Sequence, residues 1–235
     1  MKMIAVFGLG NLGLHYMTGL SKINTKSNFY YFDKSSVRIN IAKKHWVSLK
    51  KSRKDAQFSK NYFEIPKLID LAIISCTADQ RYDVIKNLIK NSNVKYWILE
   101  KPISNNIKNL NKINKLLINK KVFINIPKVY SKIYTIIKNK LKNKNITLRV
   151  RGEKWNMGSN SIHYIYMFCW IANISPNENF KYKFNMTSYF KQKRPGFFDL
   201  NGEISISNKK KEIINLISVN NKKKVFQSDA NTSIL

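Results

Sequence analysis

The sequence predicts an α/β chain: a doubly wound, mostly parallel sheet, followed by an α+β part with a mostly antiparallel sheet. Three observations predict it. Strand-like and helix-like segments alternate from Lys2 to Ile126. The run Leu68 to Cys76 (LIDLAIISC) is almost continuously apolar, as a parallel strand covered on both faces should be. From Pro127 the rhythm changes, and Tyr182 to Phe226 alternates strand-like segments with turns. The boundary is set at 1–126 and 127–235.

The first strand, Lys2 to Phe7, runs into Gly8-Leu9-Gly10-Asn11-Leu12-Gly13 without a gap. This is G-x-G-x-x-G between a strand and a helix whose face is Leu12, Tyr16, Leu20 and Ile23. Gly8 would make the tight turn and Gly10 would admit a pyrophosphate. Gly13 would let the helix lie close to the strand, and the helix N-terminus would offer amide donors to the phosphates. A second strand, Phe29 to Phe32, ends in Asp33, whose carboxylate could bind an adenosine ribose; it could also be a plain turn residue.

A helix is expected around Val37 to Lys44 and a short third strand at Trp46 to Leu49. Lys50 to Lys60 is basic enough for a loop or surface helix. After the Leu68 to Cys76 strand, Thr77, Asp79 and Arg81 stand at its carboxyl end, where open α/β sheets bind ligands. Arg81 fits a cofactor contact or a solvent-exposed helix position. The helix Tyr82 to Lys90 leads to the strand Tyr96 to Leu99, which runs into Glu100-Lys101-Pro102. An amphipathic helix over Asn105 to Asn119 and a strand over Val122 to Ile126 complete the first part.

In the second part, Lys132 to Leu141 reads as a helix and Ile146 to Val150 as a strand. Ile162 to Ala172 is apolar almost all round, which marks a helix buried between layers. Tyr182 to Tyr189, Phe197 to Ile206 and Glu212 to Val219 read as strands, with Asn201-Gly202 as a turn.

The 235 residues carry a formal charge of +30, with 37 lysines and only six arginines. A surface built to read nucleic acid favours arginine for bidentate contacts. The lysine here is spread over nearly every segment, so nucleic acid is expected to bind only non-specifically, by charge. Cys76 and Cys169 show no metal spacing, no metal site is expected, and the two thiols fit a reducing compartment. The longest apolar stretch is far below the roughly 20 residues of a membrane span, so a cytoplasmic chain without an anchor is expected.

The order G-x-G-N-x-G, T-x-x-x-R, E-K-P and Asn-x-x-His resembles the Gfo/Idh/MocA oxidoreductases, named for glucose-fructose oxidoreductase and inositol dehydrogenase. The resemblance runs from residue 1 to about residue 205, and Leu99 to Ser104 (LEKPIS) is its most specific element. It implies a Rossmann domain, then an α+β domain whose open sheet forms a homo-oligomer interface. It implies NAD or NADP as cofactor, and hydride transfer on a sugar, sugar nucleotide, inositol or related polyol. Relatives in surface-polysaccharide pathways look similar around Trp155 to His163. The cofactor-binding residues it implies are Gly8, Gly10, Asn11, Leu12, Gly13, Asp33, Thr77, Arg81, Glu100 and Lys101. Lys101 and His163 would be catalytic, and Lys101, Asn160 and His163 would meet the substrate.

A lysine suits this task, because its ammonium can hydrogen-bond the reacting hydroxyl or carbonyl and exchange its proton. Asp33 favours NAD, since a carboxylate repels a 2′-phosphate, while Lys34, Ser35 and Arg38 soften that preference. The departures are Ser159 and Tyr166, where relatives often carry aspartates around the histidine, and a C-terminal part shorter than the family's. They favour a second expectation, a shortened relative that binds dinucleotide with weak turnover.

Overall fold

The computed structural model describes residues 2–24, 26–49, 56–175, 178–192 and 196–220. The chain divides into two compact units, with the boundary between Asn125 and Ile126.

In the first unit, β1 (Lys2–Phe7), β2 (Ser27–Phe32), β3 (Ala56–Ser59), β4 (Leu68–Ile74), β5 (Asn93–Glu100) and β6 (Lys121–Asn125) form one parallel sheet in the order β3-β2-β1-β4-β5-β6. Strand alternation sends one set of side chains to each face. Ile4, Val6, Phe29, Tyr31 and Ile73 pack with α1 (Asn11–Leu20) and α2 (Ser36–Ser48). Ala5, Phe7, Ala72, Ile74, Trp97 and Leu99 pack with α3 (Arg81–Asn91) and α4 (Ile107–Leu117) on the other face. The doubly wound parallel sheet is therefore as expected. Its order reverses between β1 and β4, which opens a crevice at the carboxyl ends of those two strands.

One expectation fails here. Trp46 to Leu49 is not a strand, because α2 runs on to Ser48. Ile39, Ala42 and Trp46 make one helical face, and Trp46 packs against the rings of Phe29 and Tyr31 at 5.6 and 5.4 Å. The third strand is Ala56–Ser59, paired with β2, within the stretch read as a loop or surface helix; its residues 50–55 lie outside the described residues.

In the second unit, β7 (Thr147–Glu153), β8 (Lys181–Lys191), β9 (Phe198–Ser207) and β10 (Ile213–Val219) form a sheet in the order β7-β10-β9-β8. Two of its pairings are antiparallel, and β7 with β10 is parallel. This is the expected mostly antiparallel sheet, with one parallel edge. α5 (Lys132–Lys140) and α6 (Met157–Ile171) share its core with Leu148, Leu200, Ile204, Ile214 and Leu216.

Two local readings are corrected. Asn201-Gly202 is not a turn but lies inside β9. Gly202 has φ +147°, and a Cβ there would stand 2.0 Å from the Asn185 carbonyl, beside a register shift in β8. The glycine serves close strand approach at a bulge. The helix expected to be buried all round buries Met157, Ser161, Met167, Phe168 and Ile171, while Ile162 and Tyr166 are exposed.

Candidate functional site

The β1–α1 turn is built from contacts that only glycine tolerates. Gly8 has φ +101°, and a Cβ on it would lie 2.4 Å from the Cys76 amide nitrogen. A Cβ on Gly13 would lie 2.1 Å from the Gly8 carbonyl oxygen. The turn is tied across the switch point. The Gly8 amide donates to the Phe32 carbonyl at 2.9 Å, the Ser75 hydroxyl to the Gly8 carbonyl at 2.8 Å, and the Cys76 amide to the Phe7 carbonyl at 2.9 Å.

Gly10 differs from the other two. A Cβ there would meet nothing within 4 Å, so the chain leaves that side open. Gly10 is also the N-cap of α1, with no side-chain cap and no acidic residue in the first turn. Asn11 and Leu12 are exposed. A helix start with these properties offers amide donors and a partial positive charge to an anion. The residues therefore fit the diphosphate of a dinucleotide.

Asp33 stands at the carboxyl end of β2. Its Oδ2 accepts from the Leu9 amide at 2.7 Å and its Oδ1 from the Ser35 amide at 2.9 Å. The carboxylate thus braces the glycine turn and shapes its own turn. Each oxygen keeps a second lone pair for a ribose hydroxyl. Lys34 lies with its ammonium 5.9 Å from the centre of the Tyr62 ring, and Arg38 is exposed on α2.

Glu100 closes β5 and is buried, with 5% exposure. Its Oε1 accepts from the Tyr16 hydroxyl and, at 2.6 Å, from Asn125 Nδ2, which also reaches the Tyr16 oxygen at 2.8 Å. Burial, and then the bond to Glu100, hold the Tyr16 phenol well above its ordinary value, so it remains a donor. Tyr16 and Asn125 were not among the sequence candidates. The available signal was Glu100 itself: a carboxylate at the end of an apolar strand needs donors from its neighbours.

Lys101 follows directly, half-buried, and its peptide bond to Pro102 is cis. Thr77 is half-buried in the turn before α3, where its carbonyl accepts from the Gln80 amide at 3.0 Å. Arg81 opens α3 but is 2% exposed, so the solvent-exposed alternative is ruled out. Its guanidinium donates to the carbonyls of Cys76 and Glu100, each at 2.6 Å, and to that of Pro102. Burial lowers its proton affinity and the neighbouring Glu100 carboxylate opposes this. Burial likewise pushes the Cys76 thiol up to about 11.

In the first unit, then, Gly8, Gly10, Asn11, Leu12, Gly13, Asp33, Thr77, Arg81, Glu100 and Lys101 gather at the carboxyl ends of β1, β2, β4 and β5. The second unit carries Asn160 and His163, three residues apart and half-buried on α6. Asn160 Nδ2 donates to the Trp155 carbonyl at 2.9 Å. At the start of that helix a carboxylate arrives from β9. Asp199, 5% exposed, accepts from the Gly158 amide at 2.7 Å, from the Leu200 amide at 2.8 Å and from the Ser159 hydroxyl at 3.1 Å. Asp199 was missed in the sequence because it lies 40 residues from its partner.

Among the described residues no helix is long and apolar enough to cross a membrane, and no three His, Cys, Asp or Glu side chains gather to hold a metal. No family model and no curated protein matches the chain. Solved structures do. A myo-inositol dehydrogenase from Lactobacillus casei, in complex with NAD(H) and myo-inositol, is 13% identical, with a TM-score of 0.69 over 93% of this chain and 67% of that one. A myo-inositol dehydrogenase from Corynebacterium glutamicum is 16% identical, with a TM-score of 0.69 over 94% of this chain and 68% of that one. A super-repressor mutant of Gal80p from Saccharomyces cerevisiae is 12% identical, with a TM-score of 0.72 over 95% and 69%. The chain thus spans about two thirds of their length. With its two sheets, the glycine turn at the switch point and these neighbours together, the chain has the fold of the myo-inositol dehydrogenase structures it matches.

Proposed function

We propose that this chain binds a nicotinamide dinucleotide and works as an oxidoreductase on a hydroxyl-bearing carbon of a sugar, sugar nucleotide or related polyol. The observation that carries the reading is the open side of Gly10 at an uncapped helix start, at the point where the sheet order reverses. The NAD(H) and myo-inositol in the Lactobacillus casei structure support it. When bound, the cofactor supplies the acceptor or donor of hydride. The amides of residues 10 to 13 hold its diphosphate, and Asp33 receives ribose hydroxyls. Thr77, Arg81 and Glu100 serve the cofactor side of the site. NAD is favoured over NADP, because the Asp33 carboxylate is held in place by two amides and repels a phosphate.

The Lys101 ammonium orients the reacting hydroxyl or carbonyl and passes its proton, with His163 and Asn160 giving substrate contacts. A role in surface-polysaccharide synthesis, a place in the cytoplasm, and self-association through the second sheet belong to the same reading. The apolar side chains Tyr182, Phe184 and Met186, exposed on β8, support the last of these. The test is titration with NADH and NADPH, read by energy transfer from tryptophan to nicotinamide. A dissociation constant below the millimolar range is expected for NADH, and no binding of either at millimolar concentration refutes the proposal. Lys101→Met should lower turnover of any polyol the native chain oxidises by about 10²-fold or more, a larger loss than in NADH affinity.

A second reading is a dinucleotide-binding protein with little turnover. Ser159 and Tyr166, which bring no carboxylate to α6, favour it. The fold also occurs in a protein described as a super-repressor mutant. Robust oxidation of a polyol by the native chain rejects this second reading.

A further inference from the structure

We propose that Arg81 is a positioning residue. Its guanidinium grips the main chain on both sides of Lys101 and so sets where that ammonium stands relative to the glycine turn. The purpose of Lys101 rests on the oxidoreductase reading; the grip itself rests on geometry.

The regular ladder gives out just where positioning is needed. Pairing of β4 with β5 ends at Ile74 and Leu99, and pairing of β5 with β6 ends at Glu100 and Asn125. Lys101 lies beyond both. One arm of the guanidinium, Nη1, donates to the carbonyls of Glu100 and Pro102, the residues immediately before and after it. The other arm, Nη2, donates to the Cys76 carbonyl. Cys76 is the residue against which Gly8 is packed, and its amide holds the end of β1. A single planar cation therefore joins the phosphate turn, the end of β4 and the E-K-P segment.

A guanidinium suits this because its donors diverge in a fixed plane toward several acceptors. An ammonium is a point charge and cannot span carbonyls on two segments in one geometry. Burying a cation is costly unless it is hydrogen-bonded, and here Nη1 and Nη2 reach three main-chain carbonyls while Nε is left without a partner. A residue that only filled space at the start of α3 would be apolar, as Val84, Ile85 and Leu88 are on the same helix.

The test compares the native chain with Arg81→Gln and Arg81→Lys, without dinucleotide. Hydrogen exchange followed by mass spectrometry reads the main chain at residues 99–104 and, as control, at β1 and β2. Amine labelling of Lys101 at fixed pH reads how accessible the ammonium is. In both variants exchange at 99–104 should rise ten-fold or more while β1 and β2 stay within two-fold. The labelling rate of Lys101, half-buried in the native chain, should rise toward that of the exposed lysines. Should Arg81→Gln not fold, Arg81→Lys alone carries the test, since it keeps the charge and removes the planar fork. Native exchange and labelling in Arg81→Lys overturn the proposal, as does a rise spread evenly over all strands, which marks a merely structural role. The NADH titration of the native chain reports on the oxidoreductase reading alone, so the two failures are distinguishable.

Discussion

The contrast between Gly10 and Gly13 separates binding from folding. In Gly13→Ala the new methyl carbon would sit 2.1 Å from the Gly8 carbonyl oxygen and 3.0 Å from its carbon. Ordinary contact is about 3.5 Å, so main chain must move by more than an ångström. That places the change at the upper end of overpacking, about 3 kcal/mol. Replacing glycine inside a helix returns about 1 kcal/mol, which leaves about 2 kcal/mol of net destabilisation. For a unit of this size that is roughly 8 °C in Tm. In Gly10→Ala the methyl meets nothing within 4 Å, and φ is −69°. The fold should lose only a few tenths of a kcal/mol for the poorer cap, about 1–2 °C. Yet that methyl occupies the side from which a diphosphate approaches, so NADH affinity should fall ten-fold or more, about 1.4 kcal/mol. Thermal unfolding followed by circular dichroism, with NADH titration by energy transfer, measures both. Native NADH affinity in Gly10→Ala, or equal loss of Tm in the two variants, refutes the reasoning.

Three other predictions follow from the same contacts. Trp46→Ala should destabilise the first unit by about 3–5 kcal/mol, because the indole lies between Phe29 and Tyr31 in the core; chemical denaturation measures it. Asp199→Ala leaves two amides and a hydroxyl at the start of α6 without their acceptor, and should cost about 2 kcal/mol in the second unit by the same assay. The Cys76 thiol, pushed from 9.0 up to about 11 by burial, should react with a disulfide reagent at pH 8 about 100-fold more slowly than an unperturbed thiol, from its thiolate fraction. Its folded-state value is the raised one. The stability it contributes is therefore complete below pH 9 and is lost as pH climbs from 9 through 11.

Much of the fold was legible because it is written in local periods. The run Leu68 to Ile74 announces a strand covered on both faces, and the structure covers it so: Ile73 packs in the cluster with α1 and α2, and Ile69, Ala72 and Ile74 in the one with α3 and α4. α4 was placed by its apolar face, of which Ile113 and Leu117 are buried. The misread segments are those where propensity and partner disagree. Trp46 and Val47 favour strands in isolation, but the fit of Trp46 against two aromatic rings continues the helix. Asn201-Gly202 reads as a turn in isolation, yet it sits where the backbone of β8 comes too close for any Cβ. At the site, Gly8, Gly10, Gly13 and Asp33 were visible from spacing along one strand–turn–helix unit. Tyr16 and Asn125 were not, since they reach Glu100 from 84 and 25 residues away.

The sequence by itself determined the alternation of strands and helices, the place of the glycine turn and the order of the residues around it. Those follow from backbone geometry repeating every two or 3.6 residues, which a few neighbouring side chains suffice to specify. The tertiary structure alone decided what the long polar side chains hold. Arg81 could be solvated or turned inward by its sequence, and only the carbonyls brought near it by the folded strand ends draw its guanidinium into the interior. The same holds for Asp199, whose acceptor oxygens meet a helix start supplied from 40 residues away. The end of a flexible side chain goes where burial leaves donors and acceptors in need of each other, and that is a property of the whole fold.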